Sequence, residues 1–196
     1  MNSPSARSRV AAGIIVSCVF CFGFWQLGQG AYIPAKAWVA QELMHRAWRK
    51  AENGDVAATP WPWADTWPVA RLSARNGDIE LIVLEGGSGR TLAFGPGHLS
   101  ISVLPGESGN SVIAGHRDTH FQFLQFLREG ESIHVERASG QRHLYEVIDI
   151  DVVDSRRGSI LLDTDEPMLS LVTCYPFNTQ DAGGPMRYVV TARMIF

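Results

Sequence analysis

Short apolar and alternating runs fill most of the chain, and this pattern predicts a mainly β protein. From residue 69 onward these runs have the length of single strands and are separated by clusters rich in Gly and Pro, such as 85–89 and 104–107. Many short strands at this spacing are typical of a closed barrel or a sandwich. The predicted strands are 69–74, 79–84, 90–94, 99–103, 111–115, 131–136, 143–153, 168–174 and 187–195.

Two segments predict helices instead. In residues 35–52 the apolar positions recur at the spacing of one helical face. Those positions are Ala40, Leu43, Met44, Ala47 and Trp48. A second, short helix is predicted at 121–127. Between the first helix and the strands, 59–68 contains three prolines among three tryptophans, and proline disfavours both helix and sheet ladder. This stretch is therefore predicted to be an extended entry to the β region.

Residues 10–33 contain no charged side chain and predict a membrane-spanning helix. The run is 24 residues long, and a spanning helix needs about 20. Arg7 and Arg9 precede it, which predicts a cytoplasmic N-terminus and an exported remainder. A cleaved signal peptide and a lipoprotein-type cleavage at Cys18 are the alternatives, and both export the same domain. An uncleaved anchor is favoured, because no small-x-small cleavage site follows the apolar core.

These patterns predict four parts in the chain. They are a cytoplasmic tail at 1–9, a transmembrane anchor at 10–33, a juxtamembrane helix with a Pro/Trp-rich linker at 34–67, and one β domain at 68–196. The last part is long enough for a single domain with its own core. The formal net charge of -3 provides no basic footprint, so no nucleic-acid partner is expected.

Three reactive residue types stand at the ends of predicted strands. Cys174 is the only cysteine outside the apolar N-terminal run, His116 follows the run 111–115, and Arg187 opens the last strand. A thiol nucleophile, an imidazole that favours the thiolate and protonates a leaving amine, and a guanidinium that stabilises an oxyanion suffice for acyl transfer through a thioester. The sequence does not separate oxyanion stabilisation by Arg187 from a clamp on the substrate. The combination predicts a cysteine transpeptidase that needs no metal or cofactor.

Several alternatives accompany this interpretation. A plain cysteine endopeptidase would use the same three residues and release the acyl group to water. A non-catalytic anchored β domain would leave Cys174 as an ordinary small apolar residue. His116, Asp118 and His120 alternate, so on a strand they would share one face and could bind a metal. The metal site is disfavoured because no further ligand cluster stands out.

Three motifs resemble those of the sortase family. Leu171-Val172-Thr173-Cys174 is similar to the family's T-L-x-T-C signature, with Ser170 in place of the leading threonine. The segment 106–119 resembles the strand and turn that present the family's histidine, and 187–190 resembles the start of its last strand. The order His, Cys, Arg also agrees. The resemblance extends over about 68–196.

The resemblance implies a closed eight-stranded β-barrel with short helices, preceded by the N-terminal anchor. It also implies an exported protein substrate that carries an L-P-x-T-G-like sorting signal, and an amine acceptor. In that scheme Cys174 is the nucleophile, His116 the general acid, Arg187 the oxyanion or substrate ligand, and Thr173 a residue that positions substrate. The linker 59–68 and the segment 174–177 resemble sortases of proteobacteria, which implies an inner-membrane anchor and a periplasmic domain.

Overall fold

The computed structural model describes residues 6–179 and 183–196. The chain divides into two compact units, the first ending at Gln41 and the second running from Glu42 to Phe196. The helices are α1 (Ala6–Glu52) and α2 (Gly89–Leu92), with 3-10 helices at Arg75–Gly77 and Gln122–Phe126. The strands are β1 (Pro68–Ala74), β2 (Ile79–Glu85), β3 (Gly97–His98), β4 (Gly109–Ala114), β5 (Ser132–Arg137), β6 (Arg142–Asp154), β7 (Pro167–Cys174) and β8 (Met186–Met194).

The eight strands close into a barrel in the order β1-β2-β3-β4-β7-β8-β6-β5. Two neighbouring pairs are parallel, β2 with β3 and β4 with β7, and the others are antiparallel. This confirms the predicted closed barrel, which the resemblance set at eight strands. Inside it lies one apolar core, in which side chains from β1, β4, β5, β7 and β8 pack against the 3-10 helix Gln122–Phe126. They include Leu72, Ile113, Leu124, Leu171 and Val190.

Two of the predicted strands are wrong. Where a strand was predicted at 90–94, the chain forms the short helix α2 up to Leu92. The side chain of Ser88 caps this helix by accepting a hydrogen bond from the backbone N–H of Thr91 at 3.2 Å. In place of a strand at 99–103, the sheet continues only through the two residues of β3, and Ser102 N–H closes a turn on Leu99 O at 2.8 Å. Both departures arise from local side-chain and turn hydrogen bonds that hydrophobic periodicity does not show.

The predicted helices at 10–33 and 35–52 form one continuous helix, α1, which passes through Pro34. Among the residues whose side chains the structure describes, no helix has both the length and the apolar character required to cross a membrane. Residues 1–5 of the predicted cytoplasmic tail lie outside the described part of the chain. The last turns of α1 belong to the second unit, where Met44 and Trp48 pack against Ile82 and Leu84 of β2.

Candidate active site

The ends of three neighbouring strands meet at one edge of the barrel. β7 lies between β4, to which it is parallel, and β8, to which it is antiparallel. The C-terminal ends of β4 and β7 therefore adjoin the N-terminal end of β8. Cys174 is the last residue of β7, and its partner in the register with β8 is Arg187. Opposed Cα atoms in antiparallel strands are about 4.5–5.5 Å apart, so Cys174 and Arg187 are direct neighbours.

His116 flanks Cys174 on the other side. β4 and β7 remain paired up to Ala114 and Val172, and the Gly115 N–H donates to Val172 O at 3.0 Å. Continued two residues further along both strands, this parallel register sets His116 level with Cys174. Adjacent strands lie about 4.8 Å apart. The three residues singled out by sequence therefore lie at or just beyond three adjacent strand ends, with Cys174 on the middle strand.

The side chain of Cys174 belongs to the outer face of the barrel. Side chains alternate between the two faces of a strand, and Leu169 and Leu171 of β7 are part of the buried core. Val172 and Cys174 therefore share the opposite face, where both are half-buried. Cys174 is a free thiol and His116 is exposed. A substrate approaching this face can reach both groups.

The Arg187 guanidinium is held by backbone carbonyls of the connection that precedes it. Its Nη1 donates to Gly184 O at 2.6 Å and to Met186 O at 2.9 Å. Both bonds use one nitrogen, and a guanidinium has five N–H donors in a fixed planar fork. The side chain is half-buried. The position of this fork is therefore set by the backbone between β7 and β8.

Thr173 lies on the inner face of β7, opposite to the face that carries Cys174. Its side chain is buried, and the hydroxyl donates to Gly115 O at 2.7 Å. Gly115 is the residue immediately before His116. The observed role of Thr173 is thus to fix the backbone that presents the imidazole, and a direct contact with substrate stays a prediction.

Sequence reasoning missed two side chains that hold the connections around the site. Arg117 is buried and donates to two carbonyls of the segment after Cys174. Asn110 Nδ2 donates to Leu161 O at 2.9 Å and to Ser170 Oγ at 3.0 Å, so it attaches the β6–β7 connection to the outer face of β4 and β7. The replacement of the family's threonine by Ser170 was visible in the sequence, but its pairing with Asn110 was not. For Arg117, the adjacency to His116 was the only signal.

His120 stands close enough to His116 to feel its charge. Burial lowers the pKa of His120 by disfavouring the imidazolium, and repulsion from a protonated His116 lowers it further. His120 therefore loses its proton at a lower pH than an ordinary histidine. Within residues 6–179 and 183–196, no group of three or more His, Cys, Asp or Glu side chains is arranged to hold a metal ion.

Three aromatic rings pack together next to Cys174 and Arg187. Tyr175 stacks on Tyr188 with ring centroids 6.3 Å apart, and Phe177 meets Tyr188 edge to face at 5.1 Å. Burial raises the pKa of Tyr188, and Tyr175 adds to the rise. Because Tyr175 directly follows Cys174 and Tyr188 directly follows Arg187, this packing helps to fix the backbone at both residues.

Several solved sortases share this fold. A Clostridium perfringens Sortase D5 transpeptidase is 27% identical with a TM-score of 0.59, and the match covers 66% of this chain and 80% of that chain. Sortase A from Corynebacterium diphtheriae is 30% identical with a TM-score of 0.59, covering 68% and 63%. Sortase C-1 from Actinomyces oris is 28% identical with a TM-score of 0.58, covering 80% and 99%.

Sequence comparison leads to the same family. Sortase D of Bacillus subtilis (strain 168) is 33% identical over 119 residues, a match that spans 60% of this chain and 59% of that relative's length. None of these relatives tests the proteobacterial subgroup, which stays a prediction. The family model described as the Sortase domain matches residues 72–195, well over half of the chain. The protein therefore belongs to the sortase family.

Proposed function

We propose that this protein is a membrane-anchored cysteine transpeptidase. It cleaves an L-P-x-T-G-like sorting signal on an exported protein and transfers the resulting acyl group to an amine. The observation that carries the proposal is the position of Cys174 at the end of β7, with Arg187 opposite it on β8 and His116 two residues beyond the end of the neighbouring β4. Relatives named as sortases and as a transpeptidase support it.

The proposed reaction has two acyl transfers. The Cys174 thiolate attacks the carbonyl carbon of the scissile peptide bond, and the C–N bond breaks as His116 gives a proton to the departing amine. The acyl group is then a thioester on Sγ. An incoming amine attacks this thioester and gives a proton to the now neutral His116, and the C–S bond breaks to release the Cys174 thiolate. Arg187 either donates to the carbonyl oxygen as it gains charge or holds the substrate in place.

The outer face beside Cys174 offers an apolar floor for an extended peptide. Val172 on β7 is paired with Ala114 on β4 and with Val189 on β8, and all three share the face that carries the thiol. Ala114 and Val172 are half-buried and Val189 is buried. A row of small and branched apolar side chains suits the leucine and proline of a sorting signal, and the tethered β6–β7 connection borders this floor.

Intact-mass spectrometry tests the proposal. The full chain in detergent is incubated with a panel of L-P-x-T-G-type peptides, and we expect a covalent adduct of the size of the N-terminal peptide fragment. Added amine should convert this adduct into a peptide–amine product. Release to water alone, even with excess amine, would favour the endopeptidase alternative. A folded protein that forms no adduct with any peptide and whose Cys174 resists alkylation would favour the non-catalytic alternative.

The membrane part of the proposal concerns α1. We expect it to hold the enzyme at the cell membrane with its N-terminus in the cytoplasm and the barrel outside, in the periplasm of a Gram-negative cell. Support comes from large apolar side chains that this helix exposes, since apolar surface of this extent is typical of membrane contact. They include Ile14, Ile15, Val19, Phe20, Phe24, Trp25 and Ile33.

Cell fractionation provides the measurement for this location. The full chain should sediment with membranes, resist alkaline carbonate extraction, and dissolve only in detergent. Protease added to spheroplasts should degrade the barrel, because we expect it outside the cytoplasm. Recovery of intact protein in the soluble fraction, or protection of the barrel from external protease, would contradict the proposed anchoring or orientation, respectively.

A further inference from the structure

Arg117 is buried although it directly follows the exposed His116. Only 7% of its surface is accessible. A buried guanidinium costs considerable free energy unless its N–H groups are hydrogen-bonded and its charge is balanced. The position lies in the turn after β4. The groups that Arg117 binds must therefore compensate for the cost of burying its guanidinium.

Its partners lie on the segment that leaves the nucleophile. Nη1 donates to Pro176 O at 2.8 Å and Nη2 donates to Thr179 O at 3.1 Å. Nε donates to Asp118 Oδ1 at 3.2 Å, and that carboxylate is largely exposed. One planar fork thus holds two carbonyls three residues apart on the β7–β8 connection. Lysine could not reproduce this, because its ammonium is a single point.

The same connection carries a second arginine contact at its other end. Arg187 Nη1 donates to Gly184 O, as described above, and Tyr175 N–H donates to Met186 O at 3.0 Å. Arg117 therefore binds the start of the β7–β8 connection, and Arg187 binds its end, both by donating to backbone carbonyls.

We propose that Arg117 is a positioning residue for acyl transfer. It couples the turn that presents His116 to the connection that orients Arg187, so that imidazole and guanidinium keep a fixed relation to Cys174 without Arg117 touching substrate. This inference rests on the proposed function for its effect on catalysis, whereas the tether itself is a property of the fold. A misplacement of about 1 Å in a catalytic group can lower a rate by about 100-fold.

The test compares Arg117→Gln with Arg128→Gln in the full chain in detergent. Arg128 is exposed, lies on the same β4–β5 connection and carries the same charge, so it controls for charge loss. For Arg117→Gln we expect the rate of thioester formation with peptide to fall by about 10-fold to 100-fold. Alkylation of Cys174 by iodoacetamide should fall less than the peptide rate, because alkylation depends on the thiolate alone and not on the Arg187 guanidinium. A residue needed only for folding would lower both rates through loss of folded protein.

Hydrogen exchange separates the tether from the activity. The amides of 177–179 and of Gly184, Met186 and Arg187 should exchange faster in Arg117→Gln than in the wild type or Arg128→Gln, whereas amides of β4 and β7 should not change. If Arg117→Gln fails to fold, Arg117→Lys replaces it, and we expect an intermediate loss of peptide rate and an intermediate rise in exchange. A wild type that forms no thioester would end the proposed function. Unchanged exchange in the folded Arg117 variant, whether Arg117→Gln or Arg117→Lys, would overturn the tether. Unchanged peptide rates in an active enzyme would overturn the positioning role.

Discussion

Cys174→Ala is expected to reduce peptide cleavage by roughly 10⁴-fold or more while the barrel stays folded. The thiol is the only group in the proposed mechanism that forms a bond to the acyl carbon, so its removal eliminates the intermediate and not merely its stabilisation. The cost to stability is expected to be below about 1 kcal/mol, because Cys174 is a small, half-buried residue at a strand end.

The measurement pairs steady-state cleavage of a sorting-signal peptide with thermal unfolding. A variant with both other cysteines replaced, Cys18→Ala and Cys21→Ala, is the matched control, since these thiols lie on α1 and are exposed. The control should retain the wild-type rate and form the thioester. Cleavage by Cys174→Ala at a rate near that of the control would rule out a covalent mechanism on Cys174.

The sequence pattern was sufficient for most of the strands and for the choice of Cys174, His116 and Arg187 as candidates, because both depend on local patterns. The barrel itself was implied by the family resemblance, since the strand pattern alone left barrel and sandwich open. Strands are visible in the sequence as apolar stretches between turn residues. Seven of the eight strands coincide with predicted strands to within a few residues. Cys174, His116 and Arg187 were recognisable because each stands where such a run begins or ends. What brings them together is the strand order, in which β7 lies between β4 and β8.

The remaining features depend on contacts between residues distant in the chain. The face of β7 on which Thr173 lies follows from which neighbours form the core, so its bond to Gly115 could not be derived from the motif that contains it. Arg117 resembles any surface arginine until the β7–β8 connection folds over it. The N-terminal part is a further difference, because separate helices were predicted at 10–33 and 35–52 and one continuous helix is observed.

Arg187→Ala is expected to lower kcat/KM for peptide cleavage by about 10²–10³-fold, the effect of removing one preorganised oxyanion donor. Arg187 is the register partner of Cys174, so its guanidinium is the nearest fixed positive charge across the β7–β8 pair. Arg187→Lys should recover only part of the rate. Its ammonium keeps the charge but cannot both bind Gly184 O and direct a second planar N–H towards the substrate.

Arg193→Ala controls for loss of an arginine from the same strand. Arg193 is exposed and pairs with Met168 at the far end of β7, so its removal should leave the rate unchanged. The role of Arg187 is then identified by whether the loss in kcat/KM lies in kcat or in KM. A fall in kcat at constant KM indicates stabilisation of the oxyanion, because that interaction exists only in the transition state, whereas a rise in KM at constant kcat indicates a substrate clamp. Wild-type values for both constants in Arg187→Ala would exclude the guanidinium from the mechanism, and the thiol and imidazole would have to act with backbone donors alone.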